Sequence, residues 1–143
     1  MKRKKIKKSY RAIIYDIRKG RLYFLILHRV LHWDGWEFPK ETVKKGEAPL
    51  ETIVRGIKEE TQLRDFKIIK RLHRQEKWQV GEINYIIADT FLVRVNMNQK
   101  ISLKQEAIEH DDYQWVDKET VLKKLTWPKT KEIFGGIKDS WLK

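Results

Sequence analysis

The chain has 143 residues, a formal net charge of +12 and no cysteine, and 41% of its residues are hydrophobic. This length predicts one domain with a continuous core, and the missing cysteines exclude disulfides, thiol catalysis and cysteine metal sites. No apolar run is long enough to cross a membrane. We therefore expect a soluble, cytoplasmic protein whose positive field attracts polyanions such as nucleotides or RNA.

The first segment, Met1 to Lys8, is strongly basic. Such a run is typical of a solvated tail, although contact with RNA or phosphate is an alternative. We predict a basic tail over residues 1–8 and a single domain over residues 9–143.

The first half of the domain alternates strand-like and loop-like segments. Tyr10 to Arg18 and Leu22 to Arg29 predict a hairpin, because a glycine-containing turn joins two apolar runs. Trp33 to Gly46 carries glycine and proline breakers and predicts a long loop. Pro49 suits a first helical turn, and apolar residues then recur at helical spacing. We predict an amphipathic helix that ends near Leu63.

The second half repeats this order. Phe66 to Trp78 and Ile83 to Val95 are rich in Ile, Val and aromatic residues and predict a second hairpin. Tyr113 to Val116 predicts a short strand, Lys118 to Leu125 has helical character, and a last helix is predicted from Pro128 toward Trp141. The succession of strands, helix, strands and helix predicts an α+β or αβα layered domain.

The first helix carries two adjacent carboxylates, Glu59 and Glu60. At about 100° per residue they cluster with Gly56, away from the apolar stripe, so we expect them to face away from the core. Arg55 lies one turn before Glu59, where a guanidinium can orient the carboxylate. Together with Glu47 in the preceding loop, these acids supply the hard oxygen ligands that Mg²⁺ or Mn²⁺ prefers. Taken alone, such a pair is also typical of a solvated helix face.

The spacing of these residues resembles the signature of the Nudix hydrolase family, G-x5-E-x7-R-E-U-x-E-E-x-G-U, in which U is aliphatic. From position 41 the nine specified places hold Glu41, Glu47, Arg55, Gly56, Ile57, Glu59, Glu60, Gln62 and Leu63, of which six agree. The resemblance implies the Nudix fold, an αβα sandwich with a mixed central sheet and a catalytic loop-helix-loop. It also implies metal-dependent cleavage of pyrophosphate linkages with Mg²⁺ or Mn²⁺.

Two of the departures exchange glycine and glutamate. Gly56 stands where the family has a glutamate that binds metal or acts as general base, and Glu41 stands where it has glycine. One hypothesis is that glycine at position 56 leaves room for the Glu41 side chain to reach the metal. The alternative is that Glu41 is a solvent-facing loop residue and that one metal is lost. In the third departure, Gln62 replaces a glycine that suits a helix C-terminus.

Several residues beyond the signature resemble asymmetric bis(5′-nucleosyl)-tetraphosphatases. They are Glu109-His110, Tyr113-Gln114-Trp115, Asn84-Tyr85 and Pro39-Lys40. The resemblance implies that Glu109 is a metal ligand or the general base, with Glu106 as the alternative for that role. It implies that the Lys40 main-chain carbonyl binds metal, that the Lys40 side chain contacts phosphate, and that Tyr85 stacks on adenine. Exposed loop carboxylates and a sheet-surface tyrosine remain the alternatives.

The resemblance implies hydrolysis of a dinucleoside polyphosphate such as diadenosine tetraphosphate. Removal of pyrophosphate or a cap from RNA 5′ ends is an alternative that the charge of +12 favours. A catalytically impaired domain that binds nucleotides or RNA is a second alternative, which Gly56 favours. We expect Trp36, Trp115 and Trp127 to be packing residues, because tryptophan tends to be buried, and His110 to lie in a loop without a catalytic role.

Overall fold

The computed structural model describes residues 5–103 and 107–143. In these ranges the chain forms eight strands, three α-helices and one turn of 3₁₀ helix at Asp139–Trp141. The strands are β1 (Lys5–Arg18), β2 (Arg21–Arg29), β3 (Gly35–Glu37), β4 (Lys40–Thr42), β5 (Phe66–Leu72), β6 (Glu76–Val80), β7 (Ile83–Val95) and β8 (His110–Val116). The helices are α1 (Pro49–Thr61), α2 (Lys118–Lys124) and α3 (Pro128–Gly135).

The strands form one mixed sheet around a parallel central pair. The strand order is β3-β2-β1-β7-β5, while β8 pairs with β2, β4 with β1 and β6 with β7. β1 and β7 run parallel, from Lys5 opposite Ile83 to Tyr15 opposite Arg94. The other pairings of the named strands are antiparallel. The predicted mixed central sheet is therefore confirmed.

Helices cover both faces of this sheet. Successive residues of a strand point to opposite faces, so β1 and β2 contribute to two hydrophobic cores. The core beneath α1 contains Ala12, Ile14, Leu25, Leu27, Ile53 and Ile57. The core beneath α2 and α3 contains Ile13, Tyr15, Phe24, Ile26, Val121 and Phe134. This arrangement confirms the predicted αβα sandwich.

The first hairpin and α1 agree with the sequence prediction. β1 and β2 are joined at Lys19 and Gly20, which both have positive φ. α1 begins at Pro49 and ends at Thr61, and Gln62 caps it in the left-handed conformation with φ 64°. Gln62 thus adopts the backbone conformation for which a glycine at this place is suited.

The predicted strand from Phe66 to Trp78 is divided in the structure. Leu72 pairs with Thr90 and Glu76 pairs with Ile87, so three residues at 73–75 stand opposite two at 88–89. An extra residue in one arm interrupts the ladder and changes which side chains face inward. Glu76 is consequently the buried residue of β6.

The predicted long loop also contains two short strands, β3 and β4, which pair with β2 and β1. The last predicted helix ends at Gly135 instead of continuing to Trp141, which belongs to the separate 3₁₀ turn. β8 begins at His110, three residues before the predicted start at Tyr113.

The prediction of a basic tail through Lys8 differs from the structure. Lys5 to Lys8 are the first residues of β1 and pair with Ile83 to Ile86 of β7. Strand pairing uses backbone groups, and the four side chains are exposed, so a basic composition did not prevent strand formation. Across the described residues, no helix is long and apolar enough to span a membrane.

Candidate metal site and adjoining cavity

Arg55 joins α1 to the loop and strand before it. Its Nε donates to Glu47 Oε2 at 2.7 Å, and its Nη2 donates to Glu47 Oε1 at 2.9 Å. Nη2 also donates to the Thr42 carbonyl at 2.8 Å. Nη1 lies 3.0 Å from Glu41 Oε1 and 3.2 Å from Glu59 Oε2. Arg55 therefore orients Glu59, as the spacing predicted, and holds Glu41 beside it.

Glu47 positions this loop, and its oxygens are engaged by protein donors. Besides the two bonds from Arg55, Oε1 accepts from the backbone N–H of Lys44 at 2.8 Å and from the Thr52 hydroxyl at 3.1 Å. The hydrogen bonds from Arg55 and Lys44 lower the pKa of Glu47 to about 2. The expectation that Glu47 is a metal ligand therefore does not agree with its contacts.

Gly56 is buried against the side chain of Glu41. A Cβ atom at position 56 would lie 2.5 Å from the Cβ of Glu41 and 2.8 Å from its Cγ, closer than Cβ contacts in proteins. Antiparallel pairing of Glu41 with Tyr10 fixes the backbone of β4 at this point. The room that the exchange hypothesis required at Gly56 is present, and the Glu41 side chain fills it.

Glu60 is buried, with 5% exposure, whereas we expected both helix acids to face away from the core. It follows Gly56 by one helical turn and so lies on the face of α1 beside β4. Among the described residues its Oε2 has no hydrogen-bond partner. Burial, followed by the charges of Glu41, Glu37 and Glu109, raises the pKa of Glu60 well above its ordinary value. The Glu59 side chain is 53% exposed, as predicted.

A second charged cluster adjoins the carboxylates. Buried Glu37 has its Oε2 2.8 Å from His110 Nε2 and 3.1 Å from Arg29 Nη1. Lys40 Nζ lies 3.8 Å from Glu37 Oε1. Burial by itself would raise the pKa of Glu37, but the His110 hydrogen bond and the charges of Lys40 and Arg29 outweigh it and lower the pKa. His110 is thus a buried partner of Glu37, which corrects the expected loop histidine, and it follows half-buried Glu109 in the chain.

A cavity of about 410 Å³ opens beside Glu37 and Lys40. Its walls include the tryptophans Trp33, Trp36, Trp78 and Trp127. The rings of Trp33 and Trp127 meet edge to face at 5.1 Å, and Trp127 is 48% exposed. Trp36 also packs against the core beneath α2 and α3, as expected, whereas the exposure of Trp127 differs from the expectation of a buried packing residue. Trp127 stands beside Pro128 in the sequence, and such a breaker is typical of loop positions where large side chains stay accessible.

The wall of this cavity contains a buried ion pair. Arg11 is 4% exposed, and its Nη2 donates to Glu76 Oε1 at 2.8 Å and to Thr130 Oγ1 at 3.3 Å. Thr130 in turn donates to Glu76 at 3.0 Å. In the described part of the chain, the second nitrogen, Nη1, has no hydrogen-bond partner. No sequence pattern indicated this pair, because Arg11 and Glu76 lie on separate strands.

Tyr85 lies outside the walls of the cavity. Its ring stacks on Trp78 with centroids 5.3 Å apart and an angle of 6°, and Trp78 is the ring that lines the cavity. Lys7 Nζ lies 5.9 Å from the Tyr85 ring.

Two other residues named in the sequence analysis are placed differently. Glu106 lies outside the described residues, while Trp115 packs against the core beneath α1, as expected.

The carboxylates suit a divalent cation in chemistry. Within residues 5–103 and 107–143, no three Asp, Glu or His side chains already form a metal-binding group. The buried Oε2 of Glu60 nevertheless has no hydrogen-bond partner in the part of the chain that the structure describes, and the charges of other carboxylates act on it. A bound Mg²⁺ or Mn²⁺ would satisfy this oxygen and offset the repulsion, and hard oxygen ligands suit both ions.

Comparison with known proteins agrees with this geometry. The NUDIX domain family matches residues 6–134. RNA pyrophosphohydrolases of a Nitratiruptor species and a Sulfurovum species are 27% and 25% identical to the chain, over 81% and 96% of both sequences. The C. elegans Ap4A hydrolase in a binary complex has a TM-score of 0.78 at 20% identity and covers 90% of this chain and 93% of its own. That likeness shows the fold alone. Since the family match spans most of the chain and the fold agrees, the chain belongs to the NUDIX family and is a Nudix pyrophosphohydrolase.

Proposed function

We propose that this protein hydrolyses a pyrophosphate linkage in a dinucleoside polyphosphate, with diadenosine tetraphosphate as the representative substrate. The observation that carries the proposal is the tryptophan-lined cavity beside the carboxylates. A nucleobase requires flat apolar walls, whereas a polyphosphate requires cations. Lys40 links the two regions, because its Nζ lies 5.1 Å from the Trp78 ring and 3.8 Å from Glu37.

The base would bind in the cavity. Trp33, Trp78 and Trp127 offer ring faces and edges on which any nucleobase can stack. Arg11 lines the same cavity and has an Nη1 donor without a partner in the described residues, which suits an acceptor atom on the ring of a base. We assign stacking contacts with the base to Trp78 and Trp127, and the Tyr85 ring stacks on Trp78.

The polyphosphate would lie against the carboxylates. We assign metal binding to a set of oxygen donors: Glu59, Glu60, Glu109 and the main-chain carbonyl of Lys40. A bound Mg²⁺ or Mn²⁺ would lower the pKa of an attacking water and neutralise phosphate charge. Arg55 holds Glu41 and Glu59 in place, and the Lys40 ammonium would contact the phosphates. We assign to half-buried Glu109 the role of ligand or proton acceptor, because its charge acts on Glu60.

A second candidate is the removal of pyrophosphate from RNA 5′ ends. Two similar proteins are RNA pyrophosphohydrolases, and the net charge of +12 favours a long anionic substrate. In this case the cavity would take the 5′ nucleotide, and the rest of the RNA would cross basic surface. Exposed Lys5 and Lys7 on β1 belong to that surface.

Competing substrates separate the two candidates. The protein is incubated with Mg²⁺ or Mn²⁺ and diadenosine tetraphosphate, nucleoside triphosphates, ADP-ribose or 5′-triphosphorylated RNA. The first proposal expects the highest kcat/KM for the dinucleotide. A higher value for RNA would favour the second candidate. If the protein binds nucleotides or RNA tightly but hydrolyses neither the dinucleotide nor the RNA, both candidate functions are contradicted.

A variant of the cavity wall tests the place of the base. Trp127→Ala should raise KM for the dinucleotide by about fivefold to a hundredfold, because loss of a stacking ring costs about 1–3 kcal/mol per base. kcat should change little, since the carboxylates remain. Trp127→Phe should restore most of the affinity, and Trp141→Phe is a control outside the cavity wall. An unchanged KM in Trp127→Ala would place the base elsewhere.

A further inference from the structure

We propose that Glu41 is a metal-binding carboxylate that β4 delivers into the space left by Gly56. The inference rests on the proposed metal-dependent hydrolysis and adds the residue that replaces the missing helix glutamate. A carboxylate from strand β4 would then occupy the space that a glutamate at position 56 of the helix would otherwise fill.

The first support is steric. The Cβ and Cγ atoms of Glu41 lie 2.5 and 2.8 Å from the position of a Cβ at residue 56. Its Oε2 lies 3.2 Å from that position, so the carboxylate stands where a side chain from position 56 would begin. Glutamates at both positions cannot adopt this arrangement together. Glycine at 56 and glutamate at 41 therefore form one matched pair.

The second support is the electrostatic setting of Glu41. The charges of Glu59 and Glu109 act on Glu41, and the charge of Glu41 acts on Glu60. Glu41 thus belongs to the same group of carboxylates as the three acids assigned to the metal. Like charges kept close together are typical of sites that bind a cation.

The third support comes from the contacts of Arg55. Arg55 already donates hydrogen bonds to both carboxylate oxygens of Glu47 and to the carbonyl of Thr42. Its contact with Glu41 uses Oε1 at 3.0 Å, while Oε2 is directed at Gly56. An ion pair with Arg55 therefore accounts for one oxygen of Glu41. The second oxygen is the one we assign to the metal.

A double-mutant cycle tests the proposal with metal binding as the readout. Mn²⁺ affinity is measured by calorimetry, and metal-free thermal unfolding is measured alongside, for wild type, Glu41→Gly, Gly56→Glu and the double variant. Glu41→Gly should lose at least about tenfold in Mn²⁺ affinity. Gly56→Glu should lower the unfolding temperature, because its side chain collides with Glu41. The double variant should regain both affinity and stability, since a carboxylate again occupies the shared space.

Two further variants keep the result interpretable. Glu41→Gln preserves the volume of the side chain and removes its charge, so it should weaken Mn²⁺ binding without loss of fold. Glu119→Gln changes an exposed glutamate of α2 that pairs with Lys123 and should bind Mn²⁺ as wild type does.

Wild-type affinity in Glu41→Gln, or a double variant that stays as weak as Glu41→Gly, would overturn the proposal and leave Glu41 as a partner of Arg55 alone. Absence of Mn²⁺ binding in wild type would overturn both this inference and metal-dependent hydrolysis. If Glu41→Gln loses Mn²⁺ and wild type binds it without cleaving the dinucleotide, the metal role of Glu41 stands and the proposed substrate fails.

Discussion

The surroundings of Glu60 disfavour the ionised form of its carboxyl group. The side chain is buried and one oxygen has no partner among the described residues. Burial, followed by the charges of nearby carboxylates, raises its pKa. A charge in such a place destabilises the metal-free fold. The same arrangement is favourable once a cation neutralises it.

We predict that Glu60→Gln stabilises the metal-free protein at neutral pH, by on the order of 1 kcal/mol in the free energy of unfolding. The amide removes the buried charge and retains the shape of the side chain. Chemical unfolding in the presence of a chelator measures the difference. Mn²⁺ should raise the unfolding temperature of wild type and leave that of the variant unchanged. Equal stabilisation of both by Mn²⁺ would contradict the assignment of Glu60 to the metal.

The pH dependence of this effect has a definite sign. The folded pKa of Glu60 lies above the unfolded one, so between the two values the folded state binds more protons. The stabilising contribution of the protonated group is complete below the unfolded pKa of about 4.3 and is lost as pH rises through the folded value. The metal-free Glu60→Gln variant should lack this loss, which unfolding curves at several pH values can measure.

The sequence predicted the identity of the helix acids better than their surroundings. The place of Glu59 follows from helical periodicity, which requires no knowledge of other elements. The burial of Glu60 depends on β4, a strand of three residues that shows no periodic pattern. The need for glycine at position 56 follows from its contact with the side chain of Glu41, which lies on that same strand.

The shape of the loop between β4 and α1 depends on the hydrogen bonds of one residue, Glu47. Glu47 receives two hydrogen bonds from Arg55 and two more from Lys44 and Thr52. These contacts fix Arg55, which in turn contacts Glu41 and Glu59. The position of the carboxylates therefore depends on a residue that we do not assign to the metal.

We predict that Glu47→Gln lowers kcat and destabilises the protein at neutral pH, because the charge that holds Arg55 is lost. The folded pKa of Glu47 is about 2, below the unfolded value, so its contribution is present above the unfolded pKa and is lost as pH falls toward 2. The difference in unfolding free energy between wild type and the variant should shrink over that acidic range. A difference independent of pH would mean that packing, and not charge, accounts for the effect.

Long elements were predictable and short ones were not. β1, β2 and β7 are long apolar runs with strand composition, and α1 has a regular apolar stripe. The division between β5 and β6 arises from unequal numbers of residues opposite β7. β3 and β4 exist because they pair with β2 and β1. Such features depend on tertiary pairing, which local composition does not report.

At the scale of the whole molecule, basic charge and the cavity are the main surface features. The cavity combines Arg11, Trp33, Trp78 and Trp127, which are far apart in the chain and meet only after folding. No sequence motif joins them, so the carboxylates could be predicted from the sequence whereas the cavity could not. The net charge of +12, in contrast, was evident from composition.

If RNA is a substrate, we predict that Lys5→Gln combined with Lys7→Gln weakens RNA binding and its salt dependence. The slope of log affinity against log salt should fall by about 0.7 for each lost phosphate contact. Both residues are exposed on β1, so substitution preserves the strand better than deletion of the segment would. Hydrolysis of diadenosine tetraphosphate should not change.

The control for this experiment is Lys123→Gln combined with Lys143→Gln, which removes the same charge from exposed positions elsewhere. Fluorescence anisotropy with labelled RNA at several salt concentrations measures both pairs. An equal loss in the two double variants would indicate a general effect of net charge and no RNA path along β1.

The contact between Gly56 and Glu41 also constrains how this chain can change over evolutionary time. A glutamate gained at 56 meets an occupied space, and a glycine gained at 41 removes the carboxylate without a replacement. We expect each substitution to be harmful alone and the two to be tolerated together. The second substitution is therefore harmful in the wild-type chain and beneficial in a chain that already carries the first. A comparison with the family signature that scores each position separately counts two mismatches here, at 41 and 56. A comparison that scores the two positions together would count one compensated exchange.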